Sequence, residues 1–273
     1  MTNTARTTNC RLCGGLSKNV FNQTILQKYE VGYYKCDTCL SLQTEDAYWL
    51  DEAYANSLSY LDTGGAQRNL TDLAACFCVS KLYKLKNIID FGGGDGLLCR
   101  FLRDYGLNCF VKDKYAAPTY AQGFTEPDFQ TPDLVVAFEV LEHFPNPKTD
   151  LDNLFSLNPE VLFVSTGIYT NEQSDWWYLA PETGQHIFFY SKEALHLIAN
   201  RYGYSLLLTN GDFILFVRPG LLSNAKYALT RFMLKRVIVR LLRSLIVFLP
   251  APYAENDLLL LKQKHGSTTQ RPV

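Results

Sequence analysis

The stretch Ile88-Ile89-Asp90-Phe91-Gly92-Gly93-Gly94-Asp95-Gly96-Leu97-Leu98 constrains this chain more than any other, because a short apolar strand runs straight into glycines and then into a helix. Glycines at 92, 94 and 96 remove Cβ atoms where the backbone must turn tightly, so a ligand can lie against bare peptide groups at the helix N-terminus. The spacing narrows the ligand. A dinucleotide fingerprint needs G-x-G-x-x-G, and Leu97 or Cys99 stands where its third glycine would fall. No Gly-Lys-Ser/Thr follows, which excludes a phosphate-cradling P-loop. What remains is Asp-x-Gly-x-Gly-x-Gly, with Asp90 two residues before the first glycine, and it reads as a loop for a nucleoside-type cofactor.

Downstream, a helix over Leu97 to Tyr105 leads to a second apolar strand, Asn108-Cys109-Phe110-Val111, and then to Asp113, an acid placed to accept both ribose hydroxyls of a nucleoside. A third strand follows in Pro132-Asp133-Leu134-Val135-Val136-Ala137-Phe138-Glu139-Val140-Leu141-Glu142-His143-Phe144. In order and spacing these three motifs resemble the class I S-adenosylmethionine-dependent methyltransferases. The resemblance implies a Rossmann-like α/β sheet of seven strands and S-adenosylmethionine as cofactor. It also implies Asp90, Gly92, Gly94, Gly96, Asp113 and Glu139 as the residues that hold it.

The balance of 26 basic against 27 acidic residues gives no reason to expect a nucleic-acid partner. Met1 to Asn9 is polar, so no secretory signal is expected and a reducing, cytoplasmic setting suits the eight cysteines. Four of these form Cys10-x-x-Cys13 and Cys36-x-x-Cys39, a spacing that suits one tetrahedral Zn²⁺ held by four thiolates. Gly14-Gly15 permits the turn round the ion, and Tyr29 to Lys35 alternates like a hairpin strand, which together read as a small zinc ribbon. Free thiols or a redox pair are the alternative. Cys76, Cys78, Cys99 and Cys109 sit in apolar patterns and are expected to fill core space.

The expected organisation is a zinc-ribbon-like module over 1–47, a linker and capping helix over 48–86, the cofactor-binding domain over 87–220, and a basic amphipathic helix with a tail over 221–273. Within the domain, strands are expected near Ile88 to Phe91, Cys109 to Val111, Leu134 to Phe138, Val161 to Ser165, Ser205 to Leu208 and Phe213 to Val217, with a further short strand near Gly123-Phe124. Their alternation with helices predicts a mostly parallel sheet covered on both faces. Residues 221–250 carry Lys226, Arg231, Lys235, Arg236, Arg240 and Arg243 and no acid. At helical period Leu234, Val237, Ile238, Leu241, Leu245 and Phe248 share one face, which suits either docking on protein or peripheral contact with an anionic membrane. Docking is the preferred expectation, because amphipathic helices are more often packed. The tail after His265 is expected to be disordered.

Proton removal from an acceptor needs a base, and His186 is the leading candidate, with His143 its rival. Trp176, Trp177 and Tyr178 offer flat faces for a sugar or other planar acceptor, or equally for the core. His186-Ile187-Phe188-Phe189-Tyr190-Ser191, together with the N-terminal ribbon, is similar to the sugar C-methyltransferases acting on nucleotide-linked ketosugars. That family carries Tyr-His-Glu-His-Phe-x-Tyr-Phe-Ser at this place, and its last histidine, a base, aligns with His186. Thr183, Gly184 and Gln185 depart from the pattern, and no counterpart of the family's long C-terminal domain is expected. The Trp-Trp-Tyr and Gly-Gln-His elements look instead like methyltransferases of polysaccharide biosynthesis. The expected function is therefore methyl transfer to a sugar, glycan or other small polar acceptor. A lipid-linked glycan acceptor and a degenerate cofactor-binding scaffold are the alternatives.

Overall fold

The computed structural model describes residues 6–55, 62–209, 211, 213–246, 248–249 and 253–264. Four strands open the chain: β1 (Thr7–Asn9), β2 (Leu16–Ile25), β3 (Tyr29–Cys36) and β4 (Leu42–Thr44). The short α1 (Leu50–Ala53) and the long α2 (Gly65–Tyr83) follow. The chain then alternates through β5 (Asn87–Phe91), α3 (Leu97–Asp104), β6 (Asn108–Lys112), β7 (Leu134–Phe138), α4 (Pro147–Phe155) and β8 (Val161–Ser165). After β9 (Phe188–Phe189) come α5 (Lys192–Tyr202), β10 (Ser205–Leu208), β11 (Phe213–Val217), α6 (Asn224–Met233), α7 (Arg236–Ile246) and α8 (Tyr253–Lys264).

Among the described residues the larger sheet has six strands in the order β10-β11-β8-β7-β5-β6, and β11 runs antiparallel to both its neighbours. Its centre is apolar without alternation, every residue of β8 being buried, as expected of strands covered on both faces. The six strands match the expected segments closely, and among the described residues no seventh strand joins them. The segment 114–133 carries Pro118, Gly123, Pro127 and Pro132, which suit turns better than a ladder. Near the expected strand, the Phe124 carbonyl accepts from the Val111 amide at 2.9 Å.

The smaller sheet differs from a self-contained ribbon. Its order is β1-β2-β3-β4-β9, so a strand from beyond residue 180 completes it: Leu42 pairs with Phe189 and Gln43 with Phe188. The Arg11 guanidinium donates to the Ile187 carbonyl at 2.6 Å, and the Ser191 hydroxyl donates to the Cys39 carbonyl at 2.5 Å while accepting from the Ala194 amide as the N-cap of α5. The His186 segment is therefore stitched to the four-cysteine region on both sides.

The C-terminal segment forms three helices rather than one. In α7 the inward residues are Val239 and Ile246, with Leu242 partly covered, and the helix lies on α2. The face expected to dock is only partly inward: Leu234 is buried and Ile238 half-buried. Val237 is 75% exposed, Leu241 and Leu245 are more than half exposed, and so is Phe248 beyond the helix. The third helix, α8, docks on α3 through a buried ion pair: Asp257 accepts two hydrogen bonds from Arg103, both at 2.7 Å, and one from Arg100 at 2.6 Å. The tail beyond His265 lies outside the described residues.

Candidate active site

The strand order places β5 between β6 and β7, so successive connections leave β5 in opposite directions and a crevice opens at the carboxyl ends of these strands. The glycine turn lines it. Gly92, Gly94 and Gly96 all have φ between 53° and 77°, the left-handed region that side chains disfavour. A Cβ on Gly92 would meet Val140 at 2.7 Å, and one on Gly96 would meet Ala121 at 2.7 Å, so the turn also needs their small size.

Asp90 ends almost fully buried, with Oδ2 lacking a hydrogen-bond partner. Burial, reinforced by Asp113, pushes its carboxyl up to about 7. Asp113 follows β6, and its Oδ2 accepts from the Gly94 amide at 2.9 Å, while Oδ1 accepts from the amides of Tyr115 and Ala116 at 2.7 and 2.8 Å. Three amides thus fix this carboxylate beside the glycine turn and leave lone-pair capacity for a ligand hydroxyl. Glu139, just past β7, adopts a φ of +52°, held there as its amide reaches both the carbonyl and the hydroxyl of Ser165 at 3.1 Å. Its Oε1 accepts from that hydroxyl at 2.7 Å, and burial followed by the nearby Glu142 pushes the carboxyl up to about 7. The expected cofactor residues therefore all lie at one sheet edge.

Asp72, on α2, was not legible as a site residue. Burial, then Glu139 and Asp90 acting against Arg68, push it up to about 8, which marks it as a neighbour of the same acidic crevice. The only sequence signal was an acid set against the apolar run Leu73-Ala74-Ala75-Cys76.

Beside the crevice the two candidate bases meet. The rings of His143 and His186 cross edge to face with centroids 5.0 Å apart. His186 Nδ1 donates to the Tyr178 carbonyl at 2.7 Å; His143 Nδ1 donates to the Gln185 carbonyl at 3.1 Å, with the Tyr54 hydroxyl at the same distance. Burial, then His186, push His143 down to about 3 against the favourable carbonyls of Gln185 and Glu139, so it is neutral near pH 7. The Tyr178 hydroxyl lies 2.7 Å from Glu142 Oε1 and 3.1 Å from Glu139 Oε2. Of the aromatic run, Tyr178 is core and Trp176 half-buried, while Trp177 is 80% exposed. Tyr54 stacks on Tyr115, just past Asp113, with ring centroids 5.3 Å apart. That pair was not anticipated as a wall of the site.

The four cysteines Cys10, Cys13, Cys36 and Cys39 converge, with Cys10 and Cys39 sulfurs 3.6 Å apart and those of Cys13 and Cys36 3.5 Å apart. Four sulfurs about 2.3 Å from a tetrahedral ion lie about 3.8 Å from one another, so the donor set fits Zn²⁺. Amides of Gly15, Thr38 and Cys39 point at the Cys13 and Cys36 sulfurs. Burial leads the effects that push Cys13 up to about 11, a shift that bound metal would reverse.

A family model described as a methyltransferase domain matches residues 55–209, more than half of the chain. No curated protein matches the chain. Among solved structures it is similar to the methyltransferase domain of bacterial CtHen1-C, at 18% identity over 55% of this chain and 98% of that one, TM-score 0.41. It is also similar to magnesium protoporphyrin IX methyltransferase from Synechocystis PCC 6803 with bound SAH, at 15% identity over 62% and 92% of the two chains, TM-score 0.44. An O-methyltransferase family protein from Burkholderia thailandensis matches at 13% identity over 64% and 69%, TM-score 0.45. No helix among the described residues is long and apolar enough to cross a membrane.

Proposed function

Since this chain belongs to the methyltransferase-domain family, as a class I S-adenosylmethionine-dependent methyltransferase, we propose that it methylates a sugar, glycan or other small polar acceptor, in polysaccharide or glycan biosynthesis. The donor lies in the crevice between the glycine turn and Glu139, with Asp113 on its ribose. Asp90, Asp72 and Glu139 make that crevice acidic, which suits a donor carrying a sulfonium and an ammonium group.

The observation that supports a hydroxyl-bearing acceptor is the pairing of His143 with His186. With Nδ1 of His186 committed to a carbonyl, its Nε2 carries the lone pair. Methyl transfer is an in-line displacement, so placing the acceptor oxygen against that nitrogen both orients it and relieves it of its proton. The exposed Trp177 and the Tyr54–Tyr115 stack provide flat faces for a sugar ring. His186→Ala should then lower turnover by about 10²- to 10⁴-fold with donor affinity near wild type. Acceptors are found by incubating extracts with methyl-labelled donor and following the label by mass spectrometry; near-normal turnover in the variant would remove His186 from the reaction. The cysteine cluster, in this reading, holds structural Zn²⁺ and does no chemistry.

A lipid-linked acceptor is the second reading, favoured by the uncovered outer face of α7 beside Lys235, Arg236, Arg240 and Arg243.

A further inference from the structure

Glu142 is completely buried, yet its Oε2 has no hydrogen-bond partner. A buried carboxylate oxygen left bare is costly and calls for a positive charge or a donor. The ligand-capable atoms of Glu142, His143 and His186 all lie within 4.8 Å of one another. His186 gives its Nδ1 hydrogen to the Tyr178 carbonyl, which leaves Nε2 as its lone-pair nitrogen, while His143 Nδ1 lies 3.1 Å from both the Gln185 carbonyl and the Tyr54 hydroxyl. Carbonyls that fix the tautomer in this way are what outer partners of metal-bound histidines provide, and the Tyr178 hydroxyl on Glu142 Oε1 orients the carboxylate likewise.

We propose that Glu142, His143 and His186 bind a divalent first-row cation, distinct from the ion of the four-cysteine cluster, and that this cation holds the acceptor oxygen during methyl transfer. Ligands about 2.0 to 2.2 Å from a shared ion sit no more than about 4.4 Å apart, so small side-chain rotations close the observed span. One carboxylate and two imidazoles leave coordination positions open for substrate and water. The inference rests on the methyltransferase reading for its place in the reaction and specifies how the acceptor is prepared. The cation acidifies a bound hydroxyl, which gives its proton to solvent. The oxygen lone pair then forms the new bond to the methyl carbon as the carbon–sulfur bond breaks, its electrons staying on sulfur. Alcohol and sulfonium become ether, thioether and one proton. His186 acts in this case as a ligand, and solvent rather than His186 takes the proton of the cation-bound hydroxyl.

Mn²⁺ is the probe of choice, because its preference for oxygen and nitrogen keeps it from the thiolates. Electron paramagnetic resonance titration of the full chain should find one Mn²⁺ site. Glu142→Gln and His186→Ala, each checked for folding by circular dichroism, should abolish it. Tyr178→Phe, which removes only an orienting hydroxyl, should weaken it by about 10- to 100-fold. Folded wild-type protein that binds no Mn²⁺, or binding unchanged in both Glu142→Gln and His186→Ala, overturns the proposal. Calorimetry with S-adenosylhomocysteine separates the two readings. Mn²⁺ binding without nucleoside binding sustains the cation site and removes the methyltransferase assignment; nucleoside binding without Mn²⁺ does the reverse.

Discussion

Three carboxyls with raised pKa values around one crevice, Asp90 buried and Asp72 and Glu139 partly so, cost the fold energy that a bound cation would return. Asp72 carries the clearest consequence. Its carboxyl, pushed up to about 8 by burial, then by Glu139 and Asp90, holds its proton in the folded chain through a range where the unfolded chain has lost it near its ordinary value of about 4. The folded state therefore binds more protons between those values, and stability of the donor-free protein should fall as pH rises across that window. Donor binding has the opposite sign. A sulfonium favours the ionised acid, so donor affinity should climb from pH 6 to about 8, and calorimetry in buffers of different ionisation heat should register proton release. Asp72→Asn should flatten the profile, whereas an unchanged profile would take Asp72 out of the crevice. The placement of Asp90, Asp113 and Glu139 at the sheet edge was readable, because each lies at or just past the end of a strand. Asp72 and Tyr178 were not, because a helix and an irregular loop bring them in from distant parts of the chain, and no local period records that.

At the scale of elements, β9 makes the cysteine region more than an appendage. The sequence shows two Cys-x-x-Cys knuckles and a hairpin, and both are present. It does not show that a two-residue strand just past His186 would complete their sheet, since pairing between Gln43 and Phe188 is a long-range choice. Structural zinc sites couple metal binding to local folding. Cys36→Ser should therefore lose the bound zinc and also lower turnover, because Arg11 and Cys39 would no longer hold the segment from Ile187 to Ser191 in place. Metal analysis beside an activity assay checks this, and a zinc-free variant of full activity would contradict it. The C-terminal helices carry a different lesson. Helical periodicity identified an apolar face on α7, but the helix is apolar on more than one side, and packing on α2 chose Val239 and Ile246. The uncovered face and its cations should bind vesicles rich in anionic lipid, each cation contributing about 1 kcal/mol, with binding falling as salt is added. No binding to vesicles rich in anionic lipid would argue against a membrane role, and binding that added salt leaves unchanged would take the cations out of it.

For the molecule as a whole, the order β10-β11-β8-β7-β5-β6 decides where chemistry can occur, because the reversal at β5 brings the glycine turn, Asp113 and Glu139 to one edge. Most of this architecture was legible, since central strands buried on both faces read as unbroken apolar runs between glycine and proline signals. The six-strand count among the described residues and the shared smaller sheet were not, for both depend on which backbone groups find partners across the fold rather than on local pattern. Family membership and the acidic, glycine-lined crevice make a single claim: the chain binds S-adenosylmethionine through Asp113 and the turn before α3. Isothermal calorimetry of the full chain tests it most directly. The expected result is one S-adenosylmethionine per chain, with NAD binding absent and Asp113→Ala weakening affinity by about 10- to 100-fold, the worth of hydrogen bonds to a charged group. Folded protein that binds no S-adenosylmethionine, or binds it equally well without Asp113, would contradict the account.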